Sequence, residues 1–222
     1  ASKGSTFALV FSPAGDALVF AESEFGDEGW VGTFSLRDPA TGAVVKSQSL
    51  PAPQSVHAAV FSPDGKWLAV GTEARLLIWD VAGWSQKSEF NADVYYPRSA
   101  AFSPDSTRVA AGSRDGTLGA WDINTGQALI DAKAHLNAVY QVMFGPDGKR
   151  LATAGDDRTA TTWDVDTGRK VETIKGHALT VFSLAISPKG NRLATASYDG
   201  TTKFWAFDAD LDGALVAAMA FN

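Results

Sequence analysis

Tryptophan recurs along this chain at a fixed interval: Trp79, Trp121, Trp163 and Trp205 are each 42 residues apart. Asp follows in Asp80, Asp122 and Asp164, Ala206 breaks the series, and one period before Trp79 stands Arg37-Asp38. A second marker runs nearly in phase, Phe11, Phe61, Phe102, Phe144 and Ile186, each followed within two residues by Pro. Two markers holding one period over most of the 222 residues cannot be chance. The chain is a tandem array, and a spacing of about 40–45 residues is that of a unit of four β-strands.

The residues inside each unit explain the strands. Short apolar runs such as Ser99–Phe102 and Leu184–Ile186 read as an inner strand buried on both faces. Pro-Asp-Gly at 63–65 and 146–148 punctuates the first turn. Arg150–Ala154 and Arg192–Ala196 then read as second strands, and Asp115-Gly116 and Asp199-Gly200 supply the positive φ of a tight hairpin. Thr-Gly at 41–42, 125–126 and 167–168 turns the third strand into an outer fourth. No internal segment carries helical spacing. One such sheet is marginal alone, so neighbours must pack face to face to hide their apolar surfaces.

The period, the Trp-Asp pair and the turns resemble the WD-repeat family over about residues 7–208. That resemblance implies an all-β fold, a β-propeller of four-stranded antiparallel blades with five blades recognisable. The repeats fall at approximately 7–50, 51–90, 91–133, 134–175 and 176–208. Residues 209–222 read as a linker and, from 215, the first strand of a further blade, because Leu215–Asn222 looks like Val139–Gly145. Family propellers most often have about seven blades, so the resemblance implies a fragment of a longer ring; a closed five-bladed ring and one completed by another chain are the alternatives. The simple turns resemble bacterial-type arrays, which the likeness implies are often regulatory or sensing modules.

His135 and His177 invite a metal or catalytic reading, yet each stands nine residues before its strand marker and 22 before an Asp. Such repetition suits a blade-tying network; an active site needs convergence in one place. The resemblance implies a hydrogen-bonded chain of His135, Asp157, Thr153 and Trp163 in repeat four. In repeat five it implies His177, Asp199, Trp205 and either Thr195 or Ser197. Repeat three keeps Asp115 and Trp121 but has Asp93 where His should stand, and repeat two has Ala52 there, with Glu73 as a stand-in for Asp.

Function is expected elsewhere. Four residues before each marker stand Phe7, His57, Arg98, Tyr140 and Phe182, a column that changes chemistry while its neighbours repeat. A varying column is not needed to build a blade. The resemblance places it, with Arg114, Asp156 and Tyr198 before the hairpin Asp, on the wide face where partners dock; the plain alternative is that Phe7 and Phe182 plug the channel. Repeat one carries seven or eight extra residues near Glu22–Trp30, where aromatics among acids form either a docking loop for a basic partner or a solvated loop. Trp84 is read as an exposed contact or a local cap.

Composition trims the remaining classes. A net charge of −6 argues against non-specific nucleic-acid or membrane-surface binding, which needs clustered Lys and Arg. No run approaches the roughly 20 apolar residues of a membrane-spanning helix. With no cysteine, disulfides and thiolate metal sites are excluded, and a cytoplasmic location is expected, with a periplasmic or extracellular one as the alternative. Asp208, Asp210 and Asp212 before Gly213 resemble the start of a Ca²⁺ loop, but Met219 stands where a closing Glu belongs. The reading is therefore a non-catalytic scaffold or sensing module without cofactor, holding a protein or peptide partner on its wide face. The alternative is a propeller enzyme or a ligand- or calcium-dependent sensor.

Overall fold

A computed structural model describes residues 5–90, 96–207 and 215–220 of the chain, all as strands and their connections. Blade one is β1 (Ser5–Phe11), β2 (Leu18–Gly26), β3 (Gly29–Arg37) and β4 (Val44–Ser49). Blade two is β5 (Val56–Phe61), β6 (Trp67–Thr72), β7 (Leu76–Asp80) and β8 (Ser85–Phe90). Blade three is β9 (Pro97–Phe102), β10 (Arg108–Ser113), β11 (Thr117–Asp122) and β12 (Ala128–Lys133). Blade four is β13 (Val139–Phe144), β14 (Arg150–Gly155), β15 (Thr159–Asp164) and β16 (Arg169–Lys175). Blade five is β17 (Val181–Ile186), β18 (Arg192–Ser197), β19 (Thr201–Ala206) and β20 (Leu215–Ala220). Each is an antiparallel sheet in chain order, as the fold expected from the repeats requires.

The Asp that recurs at the end of the third strand caps the turn that follows. Asp122 Oδ1 accepts the backbone N–H groups of Asn124 and Thr125 at 2.9 and 2.8 Å, and Asp38 Oδ1 those of Ala40 and Thr41 at 2.7 and 3.0 Å. This is the Asx-type turn expected of a short acidic side chain. The next position takes positive φ as Gly42, Gly126 and Gly168, but in blade two it is Trp84, at φ 50°. Trp84 packs on Phe34 and Trp79, with ring centroids 5.6 and 6.0 Å away, so it is a local cap.

Four buried clusters lie between successive blades, each built from both neighbours. The Phe marker of a blade faces the blade before it: Phe61, Phe102 and Phe144 are 6–8% exposed. Phe11 has the same place in blade one and is 58% exposed, with Leu9 beside it at 60%. At the other end Ala185 of β17 is exposed, and Ala194 and Phe204 stay partly open to a shallow apolar hollow. The end faces of blades one and five do not cover one another, so the described residues do not form a closed five-bladed ring.

Two expectations need correction. Leu215–Ala220 is not the first strand of a sixth blade; it pairs antiparallel with β19 as the outer strand of blade five, Trp205 opposite Leu215 and Thr201 opposite Ala220. Its apolar composition imitates an inner strand, while the outer strands β8 and β16 are polar; pairing of β19's free edge decided the matter. The insert of repeat one is not a loop either. It lengthens β2 and β3 to nine residues each, paired out to Gly26 and Gly29, with Phe25 edge-on to Trp30 at 5.5 Å.

Candidate partner-binding face

The histidines are wired into the blades. In blade five His177 Nδ1 lies 2.9 Å from Asp199, Nε2 2.8 Å from Thr195 Oγ1, and Trp205 Nε1 donates to the same hydroxyl at 2.8 Å. Thr195, not Ser197, is therefore the member; Ser197 instead donates to the Leu179 carbonyl. An ionised Asp only accepts, so Nδ1 carries the proton, Nε2 accepts from the threonine hydroxyl, and that oxygen accepts from the indole. Blade four repeats the chain with His135–Asp157 at 2.9 Å and His135–Thr153 at 2.8 Å, but Trp163 Nε1 sits 3.5 Å from Thr153. The connectivity is that of a nucleophile–base–acid triad. Thr153 and Thr195 are nevertheless buried to 0% and 1% exposure, and an indole holds each hydroxyl. The arrangement ties strands together.

Blade three departs from this pattern. Asp115 binds its own hairpin through Ser113 and Thr117, while the Trp121 ring stacks on Phe90 at 5.1 Å and 8°. Gly119 makes that possible, because a Cβ there would overlap the indole. Asp93 lies outside the described residues. In blade two the Ser55 hydroxyl donates to Glu73 at 2.9 Å and also lies 2.9 Å from His57 Nε2, while Trp79 Nε1 is buried without a partner.

Burial disfavours the charged carboxyl of Asp157, but hydrogen bonds from His135 and Thr159 outweigh it and hold the group well below the ordinary carboxylate range. At Asp199 burial is likewise overcome, by Thr201, the Ala178 N–H and His177. A carboxyl depressed in the folded state stabilises fully above its unfolded value, about 3.9, and loses that contribution as pH falls towards the folded value. Stability should therefore fall on acidification below about pH 5, and the Asp157→Asn, Asp199→Asn double variant should show a flatter acid limb in urea unfolding from pH 6 to 3.

The column that varies has a backbone reason for its prominence. Every inner strand breaks register at one residue: between Thr6 and Ala8, Val56 and Ala58, Pro97 and Ser99, Val139 and Gln141, and Val181 and Ser183. The skipped residues are Phe7, His57, Arg98, Tyr140 and Phe182. A β-bulge leaves its extra residue unpaired and re-aims its side chain, so these five positions are freed from the blade-building ladder. The Phe7 side chain lies outside the described residues. Tyr198 stacks on Phe182 at 4.8 Å, Arg98 lies over the Tyr140 ring at 5.1 Å, and His57 meets Tyr96 edge-on at 4.9 Å. Asp156 is coupled to blade five, accepting from Thr180 Oγ1 at 2.6 Å.

His57, Arg98 and Arg114 line one cavity of about 560 Å³ with a residue the sequence reading missed, Tyr96. The Tyr96 carbonyl accepts from Arg114 N at 3.1 Å, just as Ala138 accepts from Asp156 and Thr180 from Tyr198. Tyr96 stands one 42-residue period before Ala138, so the repeat itself could have found it. Burial and the nearby Arg98 and Arg114 lower the His57 pKa, although Glu73 opposes them, and the ring is neutral at pH 7. Among the described residues no cluster of three His or acidic side chains is arranged to hold a metal ion; Asp208, Asp210 and Asp212 lie outside those residues. No helix is long and apolar enough to cross a membrane.

The sequence pattern described as WD domain, G-beta repeat (WD40) matches residues 45–80, 85–122, 127–164 and 168–206. WD repeat-containing protein VIP3 of Arabidopsis thaliana is 29% identical over 143 residues, 58% of this chain and 42% of that protein. Small ribosomal subunit protein RACK1y of Oryza sativa subsp. japonica is 29% identical over 100 residues, 42% of this chain and 29% of that protein. The chain thus spans less than half the length of either curated relative. In a solved crystal structure of the mitotic checkpoint complex, one chain superposes with a TM-score of 0.79 at 21% identity, over 96% of this chain and 65% of its own length.

Proposed function

This chain belongs to the WD40 repeat family, and on that premise we propose that it is a non-catalytic scaffold holding a peptide segment of a protein partner on its wide face. The carrying observation is the bulge. The residues skipped by the ladder in all five inner strands are the same five that vary in chemistry, and a side chain released from pairing is available for recognition. The blades hold it on a rigid support, which lowers the entropy lost on binding. Tyr and Arg, prominent in this set, are types enriched at interface hot spots. Two similar proteins carry the names of assemblies, a ribosomal subunit and a checkpoint complex, which agrees with a role in holding proteins together.

Selection of a phage-displayed random peptide library on the immobilised chain tests the reading. Selected peptides should lose about tenfold in affinity, the size of one lost hot spot, for the Tyr140→Ala, Tyr198→Ala variant. Lys149→Ala, Lys189→Ala in the turns at the opposite end of the inner strands should leave affinity unchanged. Equal binding by the Tyr variant, at unaltered melting temperature, would refute a wide-face site.

A further inference from the structure

We propose that the cavity between blades two and three, lined by His57, Tyr96, Arg98 and Arg114, seats an oxyanion carried by the peptide partner, either a phosphate or a side-chain carboxylate. The inference rests on the wide-face reading above and names the chemistry of one of its subsites.

The residues give the cavity donors and a surplus of positive charge. Arg98 and Arg114 both line it, in a chain whose net charge is −6. Among the described residues neither guanidinium has a carboxylate within ion-pair distance, whereas Arg75 pairs with Glu89 at 2.8 Å and Arg108 with Asp166 at 2.6 Å. Among the described residues the carboxylate acting on His57 is Glu73, which already accepts from Ser55. Among the described residues two cations stand against one carboxylate, and like charges held together repel until an anion joins them.

Geometry favours an oxyanion over a lone pair of electrons on a neutral group. Arg98 has its guanidinium carbon 5.1 Å from the centre of the Tyr140 ring and no side-chain hydrogen bond among the described residues, so its N–H groups can meet two oxygens at once. Arg114 is fixed at its backbone by the Tyr96 carbonyl, so the second guanidinium stands on the same ledge as the tyrosine. A volume of about 560 Å³ takes a phosphorylated or acidic side chain with room for its neighbours. Arginine is the residue suited to forked recognition of phosphate and carboxylate.

The test uses four peptide pools, degenerate except for a fixed central phosphoserine, glutamate, serine or lysine, with binding followed by fluorescence anisotropy. The chain should retain the phosphoserine or the glutamate pool about tenfold more tightly than the serine pool, the size of one set of charge-assisted hydrogen bonds. Whichever of the two is preferred identifies the source of the anion. Arg98→Gln, Arg114→Gln should abolish that preference without moving the melting temperature, while Tyr198→Ala should weaken all pools alike. Pools bound equally by the wild type, but weakened by Tyr198→Ala, would end the anion proposal and leave the wide-face reading standing. No binding by any pool overturns both. Asp93 lies outside the described residues, so Asp93→Asn is included. If anionic pools bind only to that variant, the seat belongs to the chain's own carboxylate and the proposal falls.

Discussion

Trp163→Ala should lower the unfolding free energy by about 3–5 kcal/mol, the usual cost of truncating a buried indole, read from urea unfolding followed by circular dichroism. The ring is 2% exposed and sits in the cluster shared by blades three and four, with Ala110, Leu118, Ile130 and Leu151. Removing it opens a void between two sheets, and neither sheet can close over it without losing contact with its next neighbour. A loss below about 1 kcal/mol would mean the interface repacks freely, contrary to the close packing of protein interiors. The Phe variants separate shape from hydrogen bonding. Trp205 donates to Thr195 at 2.8 Å, whereas Trp163 reaches Thr153 only at 3.5 Å, so Trp205→Phe should cost more than Trp163→Phe.

That difference between equivalent tryptophans marks how far the sequence could be read. The 42-residue period made the blades legible because the units repeat similar strands and turn caps, down to the Asp that receives the backbone after the third strand in blades one and three. The tetrad of blade five was legible for the same reason in His177, Asp199 and Trp205, which recur at fixed offsets, while the choice of Thr195 over Ser197 came from the hydrogen bonds. Blade three was not, because the orientation of Trp121 depends on Gly119 beneath its ring and Phe90 beside it, one of which belongs to another repeat. The outer strand at 215–220 misled for a related reason. Its composition speaks for an inner strand, but the edge available for pairing is a tertiary fact. Within the proposed partner-binding face the varying column was visible as a column; the cavity was not read, since it needs the strand pairing that sets Tyr96, one period before Ala138, against Arg114.

Gly116→Ala should be strongly destabilising. Gly116 sits in the hairpin of blade three at φ 94°, where a side chain costs about 1–2 kcal/mol in backbone strain alone. Its carbonyl accepts the N–H groups of Ala134 and His135 at 2.9 and 3.1 Å, so this turn is the point at which blade three holds the segment leading into blade four. A Cβ added there would overlap the carbonyl oxygens of His135 and Asn137. These are backbone atoms with no rotamer to yield, and overpacking of that kind adds about 1–3 kcal/mol. Because His135 anchors the blade-four network, displacement of its backbone also pulls the ring away from Thr153 and Asp157. The expected result is a loss of about 2–5 kcal/mol, the sum of those two penalties, with faster amide hydrogen exchange at residues 134–139. Blade four supplies the control. Arg158 occupies the corresponding turn position at φ 70° with its side chain exposed, so Arg158→Ala keeps the same backbone conformation and should change stability little. If Gly116→Ala proves as mild as Arg158→Ala, the clash with the next blade, and with it the tight coupling of blades three and four at this turn, is ruled out.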